Sequence, residues 1–200
     1  ISVIGRFRET CKKAQTQTLT RNLSPNEAVM LFTRRATILA TLLALAPLSV
    51  GATEPLAAPE GPVLLRVTGE ITQTNDGDAA VFDLSMLQAL GVREVTTSTI
   101  WTDGVNTFSG VSLSDVMQAV GATGQTISAT AINDYAVDIP MSDATDTGPI
   151  IAYAMDGTAL TRRNKGPLWV IYPYDQGSQF RNEVIYTRSI WQLDRLDLVD

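Results

Sequence analysis

Apolar and polar residues alternate through VLLRVTGEIT, residues 63–72. Leu65, Val67 and Ile71 fall on one face, and Arg66, Thr68 and Glu70 on the other. A period of two puts one face on a core and the other in water, so the stretch predicts a half-buried strand. Asn75-Asp76-Gly77 then turns the chain. Asp83 stands ahead of LSMLQAL with Gly91 beyond it, the order of a capped and stopped short helix. Residues 92–100, VREVTTSTI, are rich in β-branched side chains and predict another strand. Past an Asp103-Gly104 turn, Leu113, Val116, Met117 and Val120 recur at helical spacing. Ser112 or Ser114 as cap and Gly121 as stop bound that second helix.

Beyond Gly121 the period returns to two. TISATAIN and AVDIPM flank Asn133-Asp134-Tyr135, while PIIAYAM and TALT flank Asp156-Gly157, a favourable two-residue hairpin turn. PLWVIYPY is an unbroken apolar run and predicts a central strand. In EVIYTRSIWQLDRLDL, Val184, Tyr186, Arg188 and Ile190 alternate with Ile185, Thr187, Ser189 and Trp191, which predicts a closing strand. Two short helices among mostly antiparallel strands make residues 62–200 a single mixed α+β domain.

The chain ahead of this domain reads differently. From Met30 the order is a short basic region at Arg34-Arg35, an apolar run from Ala36 to Ala46, and small residues at Val50-Gly51-Ala52. That is the order of a secretory signal peptide, expected over residues 30–52 with cleavage after Ala52. The apolar run is shorter than the roughly 20 residues a bilayer span needs. Thr33-Arg34-Arg35 raises the twin-arginine route, but Thr37 sits where that signal carries a bulky apolar residue, so the ordinary secretory route is favoured. The expected destination is the periplasm or the medium, with no membrane insertion after cleavage. Residues 1–29 have no sustained period and precede a natural initiator at Met30, so they are expected to be upstream sequence translated in error. A Glu codon followed by an Ala codon, as at Glu27-Ala28, can spell a ribosome-binding sequence just ahead of that start. TEPLAAPEG, residues 53–61, is a Pro/Ala linker.

Dividing the charge at Ala52 changes its meaning. The first 52 residues hold 7 Lys+Arg and 2 Asp+Glu of the chain totals of 15 and 21, leaving 8 and 19 beyond, a net −11 against −6 overall. An acidic surface argues against nucleic acid and anionic membrane as partners. The single cysteine, Cys11, lies in the prefix, and the chain has no histidine. The domain therefore offers no disulfide, thiolate nucleophile, thiolate metal ligand or imidazole base.

Several segments, in order, resemble the molybdopterin-binding domain of the sulfite-oxidase type of oxidoreductase. Thr107-Phe108-Ser109-Gly110-Val111-Ser112-Leu113-Ser114-Asp115-Val116 is similar to the family's helix-entry segment. Asn133-Asp134-Tyr135 with Ile139-Pro140-Met141 and Ala144 resembles its mid-domain hairpin. Ala152 to Leu160, then Gly166-Pro167-Leu168 and Tyr172-Pro173, resembles its later signature. The resemblance runs from about Val63 to Leu196 and implies the sulfite-oxidase-type fold, with molybdopterin as the family cofactor. It also implies a cysteine thiolate on molybdenum, supplied from the segment that here reads Val95-Thr96-Thr97-Ser98-Thr99-Ile100. A hydroxyl is not an equivalent soft anionic ligand. The family arginine after Gly-x-Pro-Leu is here Trp169.

These readings single out two groups of residues and assign no catalytic or metal-ligating residue. Thr99 and Trp101, with Asn133 and Tyr135 at a hairpin tip, are candidates to line what the fold keeps of its cofactor pocket. Arg162, Arg163 and Lys165 hold three of the eight cations beyond Ala52 within four residues. They form a candidate patch for a small anionic ligand or for an acidic protein partner. The expected function is an exported binding or interaction module without molybdenum chemistry. The alternatives are a molybdopterin-dependent oxidoreductase with atypical ligands, and a periplasmic partner of a membrane-bound sensor or redox protein.

Overall fold

Leu65 and Val67 are fully buried while Arg66 and Thr68 stay half-exposed, so the first alternating segment forms a strand, β1 (Leu65–Gly69). The computed structural model describes residues 55–200. The expected extension, the signal peptide and Cys11 lie outside the described residues. After β1 come β2 (Ala80–Phe82), α1 (Leu84–Ala89), β3 (Arg93–Ser98), β4 (Val105–Ser112) and α2 (Leu113–Ala119). Then follow β5 (Thr126–Ala131), β6 (Ala136–Pro140), β7 (Ile150–Met155), β8 (Thr158–Ala159), β9 (Leu168–Ile171), α3 (Glu183–Arg188) and β10 (Trp191–Val199). Short 3₁₀ turns at Met141–Asp143, Arg162–Asn164, Tyr174–Gln176 and Ser178–Phe180 fill the connections.

All ten strands belong to one mixed sheet, ordered β2-β1-β10-β9-β7-β4-β3 with β5 and β6 branching from β10. Only β1 with β10 is parallel among the paired strands described. β10 is the hinge of this arrangement. Its first residues pair with β9, and its later ones lie between β1 and β5. Serving three neighbours curls the sheet into a half-barrel. PLWVIYPY forms the central strand its composition predicts, with all four residues of β9 buried. The stripe of α2 is buried at Leu113, Val116, Met117 and Val120.

Three elements depart from the sequence expectation. The chain enters α2 from an eight-residue strand, β4, rather than from a turn. AVF forms β2, too short to show a period. The predicted closing strand begins as a third helix, α3, so the domain has three short helices instead of two. Val, Ile, Tyr and Thr favour strand, but the helix is set from its end: Asn182 Oδ1 accepts from the Ile185 amide at 3.1 Å, an N-cap bond. Glu183 in the first turn and Arg188 in the last complement the helix dipole.

The Pro/Ala stretch is fastened to the body over its described part. Asp83 Oδ2 accepts from the amides of Glu60 (2.9 Å) and Gly61 (2.7 Å), and Asn75 Nδ2 donates to Ala57 O at 2.6 Å. Asp83 Oδ1 meanwhile accepts from Ser85 Oγ (2.7 Å) and from the Met86 amide (2.9 Å), capping α1 as expected. The Ser85 hydroxyl and the amides of Met86, Gly61 and Glu60 hold its carboxyl well below the ordinary carboxylate range.

Candidate functional site

A cavity of about 620 Å³ opens at the start of β10. There the loop after β3, the β5–β6 turn and α3 converge. Its walls are aromatic and aliphatic: Ile100, Trp101, Tyr135, Tyr186, Ile190 and Trp191. Asn133 and Glu183 supply polar groups.

Trp101 is the keystone. Its ring stands edge-on to Trp169 (5.8 Å, 67°), Tyr174 (6.2 Å, 64°), Tyr186 (5.8 Å, 85°) and Trp191 (5.8 Å, 76°). Such tilted contacts suit the ring quadrupoles. The loop that presents Trp101 is self-bonded, since Thr99 Oγ1 accepts from the Trp101 amide at 3.1 Å and pairs with Thr102 Oγ1 at 2.7 Å. Trp191 is aimed by an unusual backbone: Gln192 takes φ 54, a left-handed conformation rare outside glycine. Three bonds hold it there. The Gln192 amide donates to Lys165 O (2.9 Å), its Nε2 to Arg162 O (2.7 Å), and its carbonyl accepts from the Ile132 amide (2.9 Å).

Behind the cavity the polar groups are internally satisfied. Trp169 Nε1 donates to Ser189 O at 3.1 Å, Tyr174 OH to Ser189 Oγ at 2.6 Å, and Ser189 Oγ to Ile185 O at 2.7 Å. Tyr172 OH donates to Asp143 Oδ2 (2.7 Å), which also receives Arg188 (3.0 Å). Burial pushes the Tyr172 and Tyr174 phenols well above their ordinary range. A group with a raised folded pKa contributes stability below its unfolded pKa and loses it as pH rises. An ultraviolet titration followed alongside circular dichroism tests this. Tyr172 and Tyr174 should ionise only as the fold is lost in stronger alkali. Ionisation of Tyr172 and Tyr174 with circular dichroism unchanged would contradict this burial.

Of the seven residues singled out by sequence, the structure brings Trp101, Asn133 and Tyr135 onto this one cavity. Thr99 braces the loop beneath Trp101 without lining it. Arg162, Arg163 and Lys165 lie on a 3₁₀ turn, and none of them lines the cavity. Arg162 and Arg163 are exposed, and the Lys165 ammonium sits 5.4 Å above the Trp169 ring. Sequence reasoning missed Glu183, Tyr186, Ile190 and Trp191, which reach the site through α3 and the kink at Gln192. The Asn182-Glu183 pair, a cap followed by a first-turn acid, was the available signal for α3.

Residues 95–100, to which the family resemblance assigns a metal thiolate, have their hydroxyls bonded to other protein groups. Thr96 Oγ1 pairs with Thr107 Oγ1 at 3.0 Å, and the fully buried Thr97 accepts from the Asp175 amide at 3.0 Å. Ser98 donates its hydroxyl (2.8 Å) and its amide (2.6 Å) to the Asp175 carboxylate. The Ser98 bonds, with Arg181 at 3.3 Å, draw the Asp175 carboxyl below its ordinary value. Among the described residues no group of three or more His, Cys, Asp or Glu is placed to hold a metal ion. The cavity lining carries a carboxylate and no cation to meet a cofactor phosphate. This donor set does not fit a molybdenum pterin.

Residues 85–180 match the family model of the oxidoreductase molybdopterin binding domain. Those residues carry that family's domain. Among solved structures it is similar to the sulfane dehydrogenase SoxCD from Paracoccus pantotrophus, with a TM-score of 0.52 and 18% identity. The likeness covers 68% of this chain and 38% of that one, so the chain spans well under half of its structural relative. At such identity the likeness speaks for the fold alone. No curated protein sequence matches the chain.

Proposed function

We propose that this domain is an exported binding module of the molybdopterin-binding fold that does no molybdenum chemistry. The observation that carries this reading is the 95–100 segment, whose four hydroxyls are all engaged by protein groups. Beside it, the aromatic cavity remains as the place where a ligand fits. Export rests on the signal-like order of residues 30–52 and suits the acidic domain that follows.

An oxidoreductase with an atypical ligand set makes the opposite prediction. The protein purified from its native host would turn over sulfur-oxide or sulfoxide substrates with artificial electron carriers, and Thr99→Ala or Trp101→Phe would abolish that turnover. The binding-module reading expects the wild-type protein and both variants to give the same background rate.

A further inference from the structure

The cavity combines features that together select a ligand charge. Trp101, Tyr135, Tyr186 and Trp191 supply π systems, and Tyr186 and Trp191 stand at 85° and 76° to Trp101. Ring planes around the cavity therefore point in more than one direction, as a cation held by several aromatic faces requires. Glu183 brings the cavity's one carboxylate and has no ion-pair partner among the described residues. Its place in the first turn of α3 explains a preference for an acid there, but not its opening into an aromatic cavity. An anionic ligand would meet both the carboxylate and the negative ring faces. A neutral apolar ligand would cover the carboxylate and leave it unpaired, which is costly. A compact ammonium is strongly hydrated and costs more to desolvate, whereas a methylated one carries its charge in an apolar shell.

Resting on the reading of this domain as a binding module, we propose that the cavity binds a quaternary ammonium group. Trp101, Trp191 and Tyr186 would hold its methyl shell and Glu183 its charge. The group reaches the cavity either on a free small molecule or on a choline lipid headgroup.

All three tryptophans of the chain, Trp101, Trp169 and Trp191, lie in or directly behind the cavity, so intrinsic fluorescence reads its occupancy. Tetramethylammonium and choline, titrated at constant ionic strength, are expected to change that fluorescence saturably. The neutral carbon isostere of choline should bind about tenfold more weakly. Glu183→Gln and Trp191→Ala should each weaken the ammonium probes by roughly fivefold to tenfold. Trp191 is 42% exposed, and Glu183→Gln keeps its side-chain shape, so both variants should melt as cooperatively as wild type. Co-sedimentation with phosphatidylcholine vesicles, competed by free choline, would assign the lipid headgroup. Saturable binding in solution without co-sedimentation would assign a soluble ligand. Equal affinity for the neutral isostere, unchanged by Glu183→Gln, would overturn the charge assignment and leave a binding cavity. No response to the ammonium probes, the isostere or a panel of neutral and anionic aromatics would overturn the binding-module reading itself.

Discussion

Trp169→Ala is expected to cost about 4 kcal/mol of folding stability, within the range for removing a buried tryptophan. Its ring is only 1% exposed and stands edge-on to Phe108 (5.5 Å, 87°) and Trp101 (5.8 Å, 67°), with Lys165 above it. Removing it empties the space behind the cavity and leaves the buried Ser189 carbonyl without the indole donor. Trp101 would lose one of the four rings packed against it, so ligand binding should weaken with stability. Chemical denaturation followed by circular dichroism measures the first effect. Trp191→Ala, at the exposed rim, is the control and should cost about 1 kcal/mol or less. Equal losses from the two would contradict the assignment of Trp169 to the core.

Gly110→Ala is the second severe change, expected to cost about 3 kcal/mol or more. Gly110 lies in β4 at the register shift against β7. A methyl there would run into the Ile151 carbonyl oxygen, with Ala152 Cα at 2.7 Å and the Ile151 carbonyl carbon at 2.8 Å. All three are backbone atoms, so relief requires separating β4 from β7 in the middle of the sheet. Gly157 is the useful comparison. An added methyl there meets nothing within 4 Å, and only its φ of +74 is unfavourable. Gly157→Ala should therefore cost about 1 kcal/mol. If the two denaturation midpoints shift alike, the close approach of β4 and β7 is not as described.

Gly110 also shows how much of the fold was legible. It stands within the Thr107–Val116 segment that carries the family resemblance, and the β4–β7 contact gives that glycine a physical reason. The regular alternations at Leu65–Val67 and around Asn133, and the helical stripe of α2, were readable because each element buries one face of its own pattern. β4 was not, because Asn106, Thr107, Ser109 and Ser112 interrupt its apolar positions and its pairing with β3 and β7 comes from distant sequence. α3 was misread because β-branched residues mask a helix only six residues long, fixed by its Asn182 cap and by packing.

The site divides along the same line. Trp101, Asn133 and Tyr135 were visible as loop and hairpin-tip residues. Tyr186, Trp191 and Glu183 become neighbours of them only after α3 forms and Gln192 turns β10. The cluster of Arg162, Arg163 and Lys165 was conspicuous as a run of charge. Yet the carbonyls of Arg162 and Lys165 tie it to the site through Gln192, and of its cations only Lys165 comes near, over Trp169 behind the cavity. Charge runs are read easily from sequence, whereas backbone clamps leave no compositional trace.

We propose that this molybdopterin-binding fold works without molybdenum. Elemental analysis for molybdenum, with fluorescence assay of released pterin, on protein purified from its native host under molybdenum-replete conditions tests it most directly. Molybdenum and pterin are expected far below one equivalent per chain. Stoichiometric molybdenum with pterin would contradict it.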